Sequence, residues 1–455
     1  MESNPDLIRC LEQNWGRPWL VGLDNQQFWS LMETRLLALE KIQDQLPLVL
    51  VVTEDPLLFL TETLAAIAKN HLVILADPSW GQGEWQQLST HLMPNIPWNR
   101  PVTDWQDQIS ASSSNMLQPG SILIPTGGSS GKLKFAVHSW QTLQSAVRGF
   151  QQHFQVRTVN AYCTLPLHHV SGFMQVARVL ATNGTLALQS FRALMAQKLT
   201  PPETAFISLV PTQLQRMIAN NLAWASWLRQ FKAILLGGGP SWPALIAEAR
   251  SLQIPLAPCY GMTETAALVA ALLPKQFLES TDGLPIMPHA TVTIHNAEGI
   301  AQPPLKTGQI NIQTESLCRG YWPFQSKFSS TGLLTDDIGY LDTTGKLHVL
   351  GRVSTKIISG GKNIFPAEVE AAIQATERVE DVCVIGLPNN DWGEVAVAIV
   401  VLKPKQLLFP IQEALRPYIS RYKHPKHWVS LPVLPRNAQG KVDRAAMVRV
   451  VQAIF

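Results

Sequence analysis

Short apolar runs alternate along much of the chain with longer stretches whose apolar positions recur at helical spacing. Residues 205–210 predict a buried strand and 212–220 a helix after it. A second strand over 231–236 ends in Gly237-Gly238-Gly239-Pro240, a helix follows over 241–253, and 254–258 leads into Tyr260, where Gly261 is expected to turn the chain. Strand–loop–helix order of this kind predicts a mostly parallel sheet covered by helices. Ligands of such sheets gather at the loops after the strand carboxyl ends. From about 283 to 351 the pattern changes. Strand-like runs at 291–294, 309–312 and 346–350 are separated by Asn, Gly and Asp turns, which predicts an antiparallel subdomain. Beyond 351–354 a compact α+β unit is expected, with Pro366 in the first turn of a helix to about Thr376 and strands at 382–385 and 395–402. The fold class is therefore α/β: a large unit over 1–352 of helix-covered sheets plus an antiparallel subdomain, and a small α+β unit over 353–455.

Composition narrows the function. At 455 residues and 46% hydrophobic, the chain has material for several buried cores, and only 15% of it is charged. A net charge of +3 argues against broad nucleic-acid binding, so an anionic ligand needs a local site. Five scattered cysteines with no Cys-x-x-Cys pair predict neither a disulfide framework nor a cysteine zinc site. The first residues lack the basic and apolar regions of a signal peptide, and the longest apolar runs, such as 395–402, are too short to span a membrane. The expectation is a cytoplasmic protein without a membrane span.

Five segments carry candidate chemistry. Thr126-Gly127-Gly128-Ser129-Ser130-Gly131-Lys132-Leu133-Lys134 follows a strand and offers backbone N–H groups, hydroxyls and lysines to a polyphosphate. It is not a P-loop, because Leu133 stands where a Mg²⁺-binding hydroxyl is needed; a plain surface turn is the alternative. In Tyr260-Gly261-Met262-Thr263-Glu264-Thr265 a ring can stack on a base, Thr263 can bond phosphate and Glu264 can help hold Mg²⁺, although Thr263-Glu264 also suits an ordinary helix start. Asp337, within Thr335-Asp336-Asp337, can accept both hydroxyls of a ribose with Arg352 alongside; an Asp-rich turn with a surface Arg is the bland reading. Gly360-Gly361-Lys362 and Gly440-Lys441 are Gly–Lys loops that can reach a cleft or simply face solvent.

Taken together, in this order, the five segments resemble the adenylate-forming superfamily of acyl- and aryl-CoA synthetases, luciferases and peptide-synthetase adenylation domains. The resemblance implies a small C-terminal domain that swivels. It also implies a two-step reaction, in which ATP and a carboxylate give an acyl-adenylate and a thiol then displaces AMP. Carried over by motif, Thr126, Gly127, Gly128, Ser129, Ser130, Gly131 and Lys134 hold the β- and γ-phosphates. Thr263 contacts phosphate, Glu264 holds Mg²⁺, and Gly238, Gly239, Tyr260 and Gly261 border the adenine. Asp337 and Arg352 hold the ribose. Lys441 bridges the carboxylate and α-phosphate, and Gly360, Gly361 and Lys362 border the CoA. Three positions depart from the family pattern: Leu133 replaces a Pro, Asp336 replaces a Gly and adds a carboxylate beside the ribose, and Ser354 replaces the hinge Asp.

The carboxylate is suggested by Pro166-Leu167-His168-His169-Val170-Ser171-Gly172 and Arg178. By resemblance His169 gates the acyl pocket. Ser171 and Arg178, two helical turns apart, share a face, and an Arg on an otherwise apolar helix requires an anion. This arrangement resembles the 2-succinylbenzoate–CoA ligases of menaquinone and phylloquinone biosynthesis, whose substrate is an aromatic dicarboxylate. The alternative is an Arg178 that faces solvent or pairs with Asp or Glu, in another aryl- or acyl-CoA synthetase or in an adenylation enzyme serving a separate carrier protein. A non-catalytic nucleotide-binding relative is disfavoured by the retained Lys134, Glu264, Asp337, Arg352 and Lys441. The implied ligands are ATP, CoA, Mg²⁺ and a small carboxylate; a homodimer is left open.

Overall fold

A computed structural model describes residues 4–40, 47–92, 109–110, 117–126, 133–219, 222–239, 241, 243–323, 328, 331–360, 362–436 and 442–454. Two sheets build the large unit. The first orders Leu20–Val21, Leu186–Leu188, Ala161–Cys163, Phe206–Leu209, Ala233–Leu236, Leu256–Met262 and Ala267–Ala271, all parallel except the last pair. The second orders Tyr321–Trp322, Lys134–His138, Ile122–Thr126, Leu72–Leu75, Pro47–Val51 and Ile109–Ser110, with a parallel centre and antiparallel flanks. The central strands are buried along their length, as strands covered on both faces must be. Between the sheets the helices Pro56–Ala68, Trp140–Phe154 and Val170–Ala181 share one core with Trp19, Phe28 and Trp140. Trp140–Phe154 starts where Ser139 and Thr142 form a capping box and ends on Gln155 in the left-handed conformation.

The antiparallel subdomain forms as expected from Ala290–His295, Gly308–Thr314, Leu333–Leu341 and Leu347–Arg352. Residues 335–337 lie inside a strand and not in an Asp-rich turn. Alternate burial along Leu333–Leu341 puts Thr335 and Asp337 inward and Asp336 outward, a period of two that the acidic pair conceals in the sequence. Gly261 does not turn the chain either. The strand Leu256–Met262 runs through it with a register shift after Tyr260. A Cβ on Gly261 would sit 1.9 Å from the Ala267 carbonyl oxygen, so its smallness serves the close strand approach. A single 3₁₀ turn, Thr263–Thr265, follows in place of a helix.

Beyond Arg352, a separate sheet of Lys362–Ile364, Ile357–Ser359, Gly393–Leu402 and Val379–Asn389, with His427–Ser430 parallel to Gly393–Leu402, packs on the helices Pro366–Ala375 and Arg444–Gln452. Pro366 opens its helix, as expected.

Buried histidines make the fold acid-sensitive. Burial holds His71, His138 and His289 down to about 4. Between pH 6.5 and 4 the unfolded chain binds protons that the folded chain excludes, so this stabilisation is complete above pH 6.5 and is lost as pH falls. Glu62, raised to about 7 by burial, acts in the opposite sense between pH 4.5 and 7. A net slope of roughly 2–3 kcal/mol per pH unit is expected between pH 5 and 6. Urea midpoints should fall steeply over that interval, and less steeply in His138→Gln; equal midpoints at pH 5 and 7 would contradict the assignment.

Candidate active site

Thr126 and Lys134 stand opposite each other at the ends of two antiparallel strands, and the glycine-rich connection between them, Gly127, Gly128, Ser129, Ser130, Gly131 and Lys132, lies outside the described residues. The Lys134 ammonium sits 4.0 Å from the centre of the Tyr321 ring. The Tyr321 hydroxyl donates to Glu264 Oε1. Glu264 is held in turn by its strand-to-turn position and by the Cys318 N–H, which donates to its carbonyl at 2.8 Å. His138 steadies the same turn: its Nε2–H donates to the Thr263 carbonyl at 2.7 Å. One cation, one carboxylate and a hydroxyl therefore converge around Tyr321, whose strand pairs with the strand that begins at Lys134. The carboxylate keeps a second oxygen clear of Tyr321, a hard donor of the kind Mg²⁺ takes.

A second cluster lies at the end of the antiparallel sheet. Asp337 and Arg352 are cross-strand partners, and Arg352 Nε donates to Asp337 Oδ1 at 2.9 Å. The Tyr260 hydroxyl donates to Asp337 Oδ2 at 2.7 Å, and the Asp337 N–H donates to Thr335 Oγ1 at 3.1 Å. Burial, then the neighbouring Asp337 carboxylate, pushes the Tyr260 phenol well above its ordinary value, so it remains a donor. Gly238 and Gly239 are exposed just after the strand Ala233–Leu236, whose neighbour Leu256–Met262 carries Tyr260. Asp336 faces the other way. Its carboxylate accepts from the Ser354 N–H at 3.1 Å and from the Ser354 hydroxyl, and its carbonyl accepts from Val353 N–H at 2.8 Å. Two of the departures from the family pattern are thus partners: the carboxylate missing at 354 is supplied from 336.

The helix Val170–Ala181 carries Ser171 and Arg178 as expected, with His169 as its N-cap residue. Gln175 completes a polar stripe at 171, 175 and 178; its Nε2 donates to the Ser171 carbonyl at 3.1 Å. Arg178 is 4% exposed, and its guanidinium lies 4.3 Å from the centre of the Phe150 ring. It forms no ion pair among the described residues, and its Nε has no hydrogen-bond partner there. Burial lowers its pKa to about 10, which leaves it charged at neutral pH. Both bland readings of Arg178, solvent exposure and pairing with Asp or Glu, are thereby excluded among the described residues. His289, which sequence reasoning missed, packs near it. Burial first, then Arg178, holds its imidazole down. Its position depends on Gly149, where a Cβ would fall 1.9 Å from His289 Nδ1. Gly149→Ala is expected to destabilise the protein by about 1–3 kcal/mol through overpacking, with most of the loss recovered in Gly149→Ala/His289→Ala. Additive urea-unfolding losses would show that the two do not touch.

On the small unit, the Gly360 N–H donates to the Trp392 carbonyl at 2.9 Å, and the Lys362 ammonium lies 4.6 Å from the centre of the Tyr422 ring. Gly361 and Lys441 lie outside the described residues.

A helix-covered double sheet, an antiparallel subdomain in which a buried Asp337 pairs with a half-exposed Arg352, and a small C-terminal α+β unit define an adenylating enzyme. The chain belongs to the AMP-binding enzyme family, which it matches over residues 45–322, and the AMP-binding enzyme C-terminal domain matches residues 368–441. Among curated relatives, the 2-succinylbenzoate–CoA ligase of Enterococcus faecalis is 30% identical over 353 residues, 74% of this chain and 72% of that protein. The 2-succinylbenzoate–CoA ligase of Geobacillus kaustophilus is 35% identical over 299 residues, 63% and 60% of the two chains. The o-succinylbenzoate CoA synthetase of Bacillus subtilis, solved with its acyl-adenylate intermediate, superposes with a TM-score of 0.80 over 98% of each chain at 22% identity, a likeness of fold.

Proposed function

We propose that this chain is an AMP-forming acid–thiol ligase that activates 2-succinylbenzoate as its acyl-adenylate and transfers the acyl group to CoA, in the cytoplasm. The observation that carries the substrate assignment is the buried Arg178, charged and without an anionic partner among the described residues, on the helix that His169 caps. A buried guanidinium without a counter-ion is unfavourable in the free enzyme and favourable once a carboxylate reaches it. The reacting carboxylate must meet ATP, so the group at Arg178 is a second one. His169 and Ser171 border the acyl chain, with Gln175 and His289 as further polar neighbours.

The remaining residues take the roles that the family motifs imply for them. Asp337 accepts the ribose hydroxyls while Arg352 and Tyr260 fix its two oxygens. Gly238 and Gly239 let the adenine approach backbone, and Gly261 follows Tyr260 on the strand beside it. Thr126, Lys134, Thr263 and the connection 127–131 receive the phosphates. Glu264 would hold Mg²⁺, which offsets phosphate charge when bound. Lys441 would bridge the carboxylate and the α-phosphate, as its motif implies, where two anions must approach each other. The 353–455 unit turns about 352–354 to bring Gly360, Gly361 and Lys362 to CoA.

Pyrophosphate release with ATP and Mg²⁺, measured over 2-succinylbenzoate, benzoate, malonate and a medium-chain fatty acid, tests the reading. Strong preference for 2-succinylbenzoate, with acyl-CoA formed only when CoA is added, is expected. Preference for a monocarboxylate would keep the adenylating chemistry and discard the dicarboxylate.

A further inference from the structure

We propose that Asp77, His168 and His169 form a binding site for a zinc-class transition cation beside the acyl-pocket helix, and that occupying it inhibits the enzyme by fixing His169. One ligand atom from each of the three side chains lies within 4.8 Å of the other two. Asp77 follows the strand Leu72–Leu75 and is buried. Its Oδ1 is committed to Ser79, accepting from the N–H at 2.8 Å and from the hydroxyl at 2.6 Å. Oδ2 is left facing His168 Nε2 at 3.3 Å.

The chain turns at 167–168, where the His169 N–H donates to the Pro166 carbonyl at 3.2 Å, and the turn brings the His168 and His169 rings to 4.3 Å apart at 66°. An Asp–His ion pair uses one imidazole, and a second ring brought against it adds a third ligand. Two imidazole nitrogens and one carboxylate oxygen make a three-ligand set with an open fourth position, which suits zinc and its first-row neighbours. Magnesium takes oxygen ligands and would not compete. Ser79 is the outer partner that orients the carboxylate, as metal sites require. Ligand atoms bonded to zinc at about 2.0–2.1 Å lie about 3.4 Å apart in a tetrahedron, so closure asks for side-chain shifts of roughly an ångström. None of the three belongs to the segments assigned above to the nucleotide. His169 caps the helix that carries Ser171, Gln175 and Arg178, so a cation on His169 fixes the residue at the carboxylate entrance. This consequence rests on the function proposed above; the binding itself does not.

Zinc chloride titrated calorimetrically into the untagged full chain should bind with one equivalent. Affinity should fall about tenfold in Ser79→Ala, whose side chain is exposed and outside every core cluster, and at least about 100-fold in Asp77→Asn and His168→Gln. Cobalt should give visible absorption of tetrahedral intensity in the wild type alone. In the adenylation half-reaction, with CoA omitted because its thiol takes zinc, zinc should raise the KM for the carboxylate and leave the KM for ATP unchanged, and Asp77→Asn should escape this. Equal zinc affinity in wild type, Ser79→Ala and Asp77→Asn would overturn the site, as would inhibition that persists in Asp77→Asn. Absence of pyrophosphate release with every carboxylate would strike the ligase reading instead, and the titration would then decide the site alone.

Discussion

Arg178→Met is expected to cost the enzyme about 10²–10⁴ in kcat/KM for 2-succinylbenzoate while making the free protein more stable. Both effects follow from the same burial. In the free enzyme the guanidinium rests on Phe150 with its Nε unpartnered among the described residues. Replacing a buried charge by an apolar side chain of similar length commonly stabilises a protein by about 1–4 kcal/mol. A thioether can keep the contact with the ring. In the complex the same substitution leaves a buried carboxylate without its partner, a loss of about 3–5 kcal/mol. Steady-state kinetics and urea midpoints should therefore move in opposite directions, and activity on benzoate should change little. A dicarboxylate kcat/KM within about threefold of wild type would remove Arg178 from the site.

The second large effect is expected at Asp337. Its two oxygens already receive Tyr260 and Arg352, so the carboxylate is oriented before nucleotide arrives. Asp337→Asn replaces one acceptor by a donor, beside a guanidinium that is itself a donor. Hydrogen bonds to charged groups contribute about 1.5–3 kcal/mol each, so kcat/KM for ATP should fall about 10²-fold. Arg352 is half-exposed, and water screens much of its own loss. The diagnostic experiment is 2′-deoxy-ATP. Wild type should discriminate against it, and Asp337→Asn should lose most of that discrimination, because the partner of the missing hydroxyl is already gone. Equal discrimination in both proteins would place the ribose elsewhere.

Much of this was legible in the chain. The strands Phe206–Leu209 and Ala233–Leu236 and the helix after Pro366 form where the apolar pattern put them. Asp337 and Arg352 are close enough in sequence to be read as a pair, and the sheet register makes them one. Tyr321 was not legible, because it reaches Glu264 from 57 residues away through a strand of only two residues. His289 was hidden for a similar reason: its neighbours Gly149, Phe150 and Arg178 come from other elements, and local periodicity says nothing about which elements meet. Gln175 could have been found, since 171, 175 and 178 follow the helical repeat, but a lone Gln among apolar residues draws less notice than an Arg. The strand Leu333–Leu341 was obscured by its acidic pair, whose members face opposite sides. Asp336 and Ser354 read as two unrelated departures, because nothing in a separation of 18 residues shows that the two side chains meet.

Adjacent residues on one strand divide two tasks. Asp337 faces the Tyr260 hydroxyl, and Asp336, on the reverse side, grips Ser354 at the junction with the small unit. A catch built from a carboxylate on a backbone N–H and a hydroxyl has no opposing cation, so added salt should loosen it far less than it would an ion pair. Under the proposed function, the rung that seats the ribose is also the rung that holds Ser354 through Asp336. A tilt of that strand on nucleotide arrival would then reach the proposed pivot at 352–354 through a lever a single peptide bond long.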